Sequence, residues 1–328
     1  MIRAIFVTKQ GDIIEVPQKQ VLDSYIADQK TLLWVDFYNE PQEAVESLMI
    51  DKFKFHPLSV DDAIQENHVP KLDDWFDYLY IVLHSLAKNE NSDDIETSEL
   101  DIFLGRDYLV TYHECTIEAV DKVFHQSKKD PRMLKRGPDF LLYNLIDQIV
   151  SDYMLVVEDM DEEIDEVEDK ILESKNSKVV TDILSKKRSL LTLRRILSHQ
   201  REVLNKLARD EYPVIDAKDR IYFRDIYDHL VRIYDITESM RDLIGGALDT
   251  YLSVVNNRMN DIMKTLTIIA TIFMPISFVT GFFGMNFFQP VSSALGPWTG
   301  VLAFAFCLLI VIGTPTFMLW WIKGKGWL

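Results

Sequence analysis

Residues 265–322 read TLTIIATIFMPISFVTGFFGMNFFQPVSSALGPWTGVLAFAFCLLIVIGTPTFMLWWI, and no charged side chain interrupts them. About 20 apolar residues cross a bilayer as a helix, so the run accommodates two spans, 265–288 and 298–322, joined by an outer loop at 289–297. All 52 acids and all but two of the 35 Lys and Arg residues precede Thr265; Lys323 and Lys325 lie in the basic tail 323–328. The chain reads as a large soluble part followed by a helical hairpin in a membrane.

The charges beside the spans orient it. Arg258 and Lys264 precede the first span, Lys323 and Lys325 follow the second, and the loop between has none. Basic residues stay on the cytoplasmic side, so both termini are expected there, in a plasma membrane of the bacterial inner-membrane kind. The N-terminus, Met1-Ile2-Arg3-Ala4-Ile5-Phe6, has no apolar run of signal-peptide length before Lys9. Ahead of Thr265, 33 bases face 52 acids, a formal charge of −19. Such a surface disfavours nucleic acid and anionic lipid as partners and favours cations. Cys115 and Cys307 are the sole cysteines, which excludes a disulfide framework and a Cys-based zinc site.

Within 1–130, the segments Ile2 to Val7, Leu32 to Phe37, Tyr78 to Leu86, Leu100 to Leu104 and Tyr108 to Tyr112 are β-branched and aromatic, with helix-like Glu43 to Met49 among them. They predict an α/β domain. Breakers from Asp130-Pro131 to Gly137-Pro138 lead into a helical hairpin at 131–218. Its first helix carries Ile149, Tyr153, Val156, Met160, Ile164, Val167 and Ile171 on one face, with acids between; its second runs from Ile183 to Leu207 with basic residues outside, and Asn176 and Ser177 mark the turn. A stalk helix, 219–264, follows. Ile226, Leu230, Ile233, Thr237, Met240, Ile244, Ala247, Tyr251 and Val254 keep heptad spacing along it. No proline stands between Asp219 and Pro275, so stalk and first span are expected to form one helix of nearly 100 Å at 1.5 Å per residue. The fold class expected is an α+β membrane protein.

A second stripe at the same spacing collects Asp242, Gly246, Asp249, Ser253, Asn256, Asn260, Met263, Thr267, Ala270, Met274, Ser277 and Gly281. Small, weakly polar faces also pack helices together in membranes. What distinguishes this one is its continuation into amides and carboxylates below the bilayer. One helix cannot enclose a conduit, so a pore needs several copies about an axis with the stripe inward. Asp249 and Asn256 would then ring the cytoplasmic entrance and concentrate cations. Met263 and Met274, with neighbouring Leu266, would narrow the pore to an apolar constriction.

The run Thr265-Leu266-Thr267-Ile268-Ile269-Ala270-Thr271-Ile272-Phe273-Met274-Pro275, followed by Gly284-Met285-Asn286-Phe287, closely resembles the CorA family of magnesium transporters. The likeness extends through Tyr222-Phe223-Arg224-Asp225, Tyr251-Leu252-Ser253 and the basic tail, and more loosely through His56-Pro57-Leu58. It implies a funnel-shaped homopentamer whose first span lines the pore. It also implies that Gly284, Met285 and Asn286 receive hydrated Mg2+ at the outer mouth. Neutral acceptors suit that role, because Mg2+ dehydrates reluctantly and keeps several waters. Two features depart from the family pattern. Phe283 stands where tyrosine is common, and the loop from Phe287 to Pro297 lacks the acid often found there.

By the same resemblance, Asp225 helps hold a regulatory Mg2+ between subunits, with a partner from the N-terminal domain near Asn89. Asn89 is no acid, so Glu90, Asp93 or Asp94 are the candidates. An ordinary stalk ion pair with Arg224 or Arg232 is the alternative for Asp225. The acids from Glu158 to Glu173 read as a solvated helix face. His56, His68, His84, His113, His125, His199 and His229 show no metal-ligand spacing, and no nucleophile motif or phosphate-binding glycine loop is present. The expected function is therefore not enzymatic, with no organic cofactor. It is Mg2+ influx, with Co2+ and Ni2+ as further cargo, driven by membrane potential and gated by cytoplasmic Mg2+. The alternatives are a zinc transporter of the same architecture and a non-conducting coiled-coil scaffold or sensor.

Overall fold

The computed structural model describes residues 1–8, 13–16, 32–64, 68–88, 95–173, 178–284 and 301–326. They divide into two compact units, Met1–Leu248 and Asp249–Leu328.

The first unit is built on a seven-stranded sheet. Its strands are β1 (Ile2–Val7), β2 (Ile13–Val16), β3 (Leu33–Tyr38), β4 (Lys71–Asp74), β5 (Tyr78–Lys88), β6 (Ile95–Gly105) and β7 (Tyr108–His113), in the order β2-β1-β3-β7-β6-β5-β4. Only β3 and β7 pair in parallel, with Val35 opposite Val110; the other neighbours are antiparallel. Alternate side chains point to opposite faces, and both faces are covered. Phe6, Val35, Tyr80, Phe103 and Val110 pack under α1 (Gln42–Ser47) and α2 (Pro57–Ile64). Ile5, Trp34, Ile81, Ile102 and Leu109 pack against α3 (Glu118–Lys129) and α5 (Pro138–Glu173), with the short α4 (Pro131–Lys135) between those helices. Burial on both sides explains why the central strands read as nearly continuous apolar runs.

The predicted hairpin is α5 against α6 (Lys178–Arg209). On α5 the buried series is Ile149, Tyr153, Val157, Met160, Ile164, Val167 and Ile171, with Val156 only half-buried where the sequence pattern placed it inside. The start of α5 buries Leu141, Leu142, Leu145, Ile146 and Val150 as well, because it lies beneath the sheet. The buried Tyr153 hydroxyl lies between two acceptors that share its single proton, Gln200 Oε1 of α6 at 2.7 Å and the main-chain carbonyl of His84, fastening hairpin to sheet. Lys186 of α6 pairs with Glu163 of α5 at 2.6 Å.

The long helix α7 spans Arg220–Gly284, 65 residues. Its heptad positions Ile226, Leu230, Ile233, Thr237, Met240, Ile244 and Ala247 are all buried in the first unit. Arg201 of α6 lies over the Tyr234 ring at 4.6 Å, and Arg194 pairs with Glu238. In the second unit, Tyr251 and Val254 continue the pattern half-buried. The last helix, α8, covers Val301–Gly324.

Among the described residues, three helices are long and apolar enough to cross a membrane: α5, α7 and α8. The apolar window of α5 is 44% buried within the fold, whereas those of α7 and α8 are 0% and 6% buried. The apolar surface of α5 is already spent on the sheet and α6.

Candidate ion pathway and cytoplasmic metal sites

Along the apolar part of α7, the half-buried residues are Ile268, Ile272, Pro275, Ile276 and Val279. At about 100° per residue they centre on one face, and Met263, Thr267, Ala270, Met274, Ser277 and Gly281 centre roughly 180° away from it. All six of those residues are exposed, as are Asp249, Asn256 and Asn260 further down and Leu266 beside Thr267. The stripe is thus the face that this chain leaves bare, with Met274 77% exposed. On α8 the half-buried positions Cys307, Ile310, Val311, Thr314, Pro315 and Met318 recur at matching helical spacing.

The stripe's hydroxyls are arranged by the helix itself. Thr267 Oγ1 donates to the Met263 carbonyl at 2.7 Å, and Ser253 Oγ donates to the Asp249 carbonyl at 3.0 Å. Each proton is satisfied inside the helix, so these side chains present oxygen lone pairs outward, suited to cations and their waters. Off the stripe, Thr271 and Thr280 bond back in the same way, to the carbonyls of Thr267 and Ile276. Pro275 lacks an N–H, so the Thr271 carbonyl one turn earlier loses its helical donor. A Cβ built at Gly281 or Gly284 meets nothing within 4 Å. Gly284 is the last residue of α7, while Met285 and Asn286 lie outside the described residues.

Asp225 is exposed on α7, and among the described residues no base stands within ion-pair distance of it, Arg224 and Arg232 included. Its electrostatic neighbours are on α5. Burial raises the Asp147 carboxyl above the usual aspartate range; His229 opposes that shift and Asp225 adds to it. Burial likewise raises Tyr143, with Asp147 and then Asp225 contributing. Sequence reading did not single out Asp147. The available signal was a carboxylate directly after the buried pair Leu145-Ile146. Glu90, Asp93 and Asp94 lie outside the described residues, between β5 and β6.

His84 and His113 share a polar pocket with Glu99, Asp101, Glu114 and Cys115. One ring nitrogen of each is hydrogen-bonded, His84 Nε2 with the His68 carbonyl at 2.7 Å and His113 Nδ1 with the Cys115 carbonyl at 2.6 Å; His113 Nε2 lies 3.2 Å from Asp36 Oδ1, and His84 Nδ1 has no hydrogen-bond partner among the described residues. Among the described residues, the one group of three metal-ligating side chains is Asp139, Asp216 and Asp219.

A family model described as "CorA-like Mg2+ transporter protein" matches residues 29–323. A Thermotoga maritima protein named cobalt/magnesium transport protein CorA is 36% identical over 261 residues, covering 79% of this chain and 74% of that protein. The Methanocaldococcus jannaschii protein of the same name is 31% identical over 292 residues, covering 88% of this chain and 89% of that protein. A solved structure, the complete CorA magnesium transporter from Methanocaldococcus jannaschii, matches with a TM-score of 0.83 at 26% identity, covering 100% of this chain and 99% of that one.

Proposed function

Because this chain belongs to the CorA family of CorA-like Mg2+ transporters, we propose that it carries Mg2+ into the cytoplasm through a pore formed by five copies of α7. The observation that carries this reading is the bare stripe. It runs from Asp249 through Asn256, Asn260, Met263, Leu266, Thr267, Ala270, Met274 and Ser277 to Gly281, opposite the half-buried face of the same helix. In this reading α7 and α8 are the two spans, both termini are cytoplasmic, and Gly284, Met285 and Asn286 form the outer mouth. Hydrated Mg2+ meets neutral acceptors there, and Asp249 rings the exit. Co2+ and Ni2+ are further cargo.

The driving force is the membrane potential. No acid, base or histidine lies within either span to relay protons. A divalent ion crossing 100 mV, inside negative, gains about 4.6 kcal/mol at roughly 2.3 per charge. Gating follows from the −19 formal charge ahead of the membrane. Subunits carrying that charge repel one another, and Mg2+ between Asp225, its neighbour Asp147, and an acid of Glu90, Asp93 or Asp94 from the next subunit relieves the repulsion. A ligand shifts such an equilibrium only by its differential affinity for the two states, so the ion bridges subunits in the closed state and loses a ligand in the open one.

The test is uptake into liposomes containing the full-length protein and an internal metal-sensitive dye, with a K+ diffusion potential set by valinomycin. Mg2+ entry should rise with inside-negative potential, and Co2+ and Ni2+ should follow. Flux no greater than in empty vesicles would reject conduction. Entry of Zn2+ without Mg2+ would instead assign a zinc transporter of the same architecture.

A further inference from the structure

Asp139 is the second residue of α5, Asp216 lies in the connection between α6 and α7, and Asp219 immediately precedes α7. The fold draws them together. The Asp216 N–H donates to Asp139 Oδ2 at 2.9 Å, and the Asp219 N–H donates to the Asp216 carbonyl at 2.9 Å. One carboxylate oxygen from each residue lies within 4.8 Å of the other two.

Asp219 is the unexplained member. Its side chain is 0% exposed. Oδ1 accepts from Arg136 at 2.8 Å, but Oδ2, equally shut off from water, has no hydrogen-bond donor. It does not cap the helix either, since the Tyr222 N–H goes to the Asp219 main-chain carbonyl at 3.0 Å. The Lys218 ammonium stands 4.0 Å from Oδ2, outside hydrogen-bond range, and sits 2.5 Å from Asp216 Oδ2. A buried anionic oxygen left without a donor is costly. Since that exposed ammonium is also held by Asp216, Oδ2 lies on the side of Asp219 toward Asp216, with a partial counter-ion beside it. Arg136 and Lys218 leave the three acids with one uncompensated negative charge.

We propose that Asp139, Asp216 and Asp219 form a site for a hard divalent cation within a single chain, and that the Lys218 ammonium competes for it. All-oxygen ligation suits Mg2+ or Ca2+. Adjacent oxygens on a directly bound Mg2+ stand about 3 Å apart and an opposite pair about 4.2 Å, and on Ca2+ somewhat further, so the three carboxylates, now within 4.8 Å of one another, draw in around the ion. Binding displaces Lys218 toward solvent and supplies Asp219 Oδ2 with the partner it lacks. The ion ties the first turn of α5 to the start of α7, the two helices that carry Asp147 and Asp225. The site is independent of the intersubunit reading, because all three ligands come from one chain.

Electron paramagnetic resonance of free Mn2+, with the full-length protein in detergent, counts bound ions directly. In an Asp147→Asn, Asp225→Asn background, one Mn2+ per chain should remain bound and be displaced by Mg2+; an ion held on the pore axis would count once per assembly instead. Adding Asp219→Asn should remove that ion. Asp216→Asn, at an exposed position, should weaken it without disturbing the fold. Lys218→Gln should tighten it about fivefold, the scale of an exposed ion pair that no longer has to break. Equal binding in the background, Asp216→Asn and Asp219→Asn proteins would overturn the site, as would a background protein that binds no Mn2+. Unchanged affinity in Lys218→Gln would overturn the competition. Uptake is not the readout, so a failure here is separable from a failure of the transport reading.

Discussion

The Tyr80 hydroxyl donates a 2.6 Å hydrogen bond to Oδ1 of Asp101, across neighbouring strands of the sheet and out of reach of water. Burial pushes the Asp101 carboxyl well above the usual range, and nearby Glu99 pushes it further. Burial and Asp101 together push the Tyr80 hydroxyl far up as well. Asp101 is thus a carboxyl that the fold favours in its neutral form. A folded-state pKa raised above the unfolded value gives stability that is present in full below about pH 3.9 and is lost as pH rises through the folded value. Asp101→Asn keeps an acceptor for Tyr80 without the ionisation. It should raise the melting temperature of the full-length protein more at pH 8 than at pH 4. An equal effect at both values would show that folding does not raise the Asp101 pKa.

At the outer mouth, Asn286→Ala should cut Mg2+ entry into liposomes by about tenfold or more, the scale of one lost acceptor for the ion's hydration shell. Assembly size and melting temperature should not change. Undiminished flux in a well-assembled variant would remove Asn286 from the pathway.

The constriction is tested by making it wet. Leu266→Asn places an amide among the exposed apolar residues Met263 and Met274. An apolar gate closes by excluding water, so this variant should leak Mg2+ even at millimolar cytoplasmic Mg2+, where the proposed feedback should shut the wild type. Currents from planar bilayers at both concentrations measure this. A variant that closes as fully as the wild type would place the gate elsewhere.

Feedback through Asp225 predicts that millimolar Mg2+ protects the stalk of the wild-type protein from protease. Asp225→Asn combined with Asp147→Asn should abolish that protection while leaving the basal cleavage sites unchanged. The same protection in both proteins would reject the intersubunit site, and its absence from the wild type would reject Mg2+ feedback altogether.

Much of this architecture follows from the chain alone, because its signals are local. An uncharged run from Thr265 to Ile322 has few options other than a bilayer, and heptad spacing from Ile226 to Ala247 specifies which side of α7 is buried. The apolar central strands announce themselves for the same reason. The edge strands β2 and β4 do not: four residues each, with Lys71-Leu72-Asp73-Asp74 mostly charged, they are strands only because a neighbour pairs with them. Hydropathy alone also makes the start of α5 resemble a membrane span. Its contact with the sheet makes it core instead. Sequence spacing cannot bring Asp147 beside Asp225, or Asp139 beside Asp216 and Asp219, since each pairing joins side chains more than seventy positions apart. Those sites exist because α5 and α7 pack in one core, and the carboxylates meet as a consequence of where the apolar faces beneath them had to go.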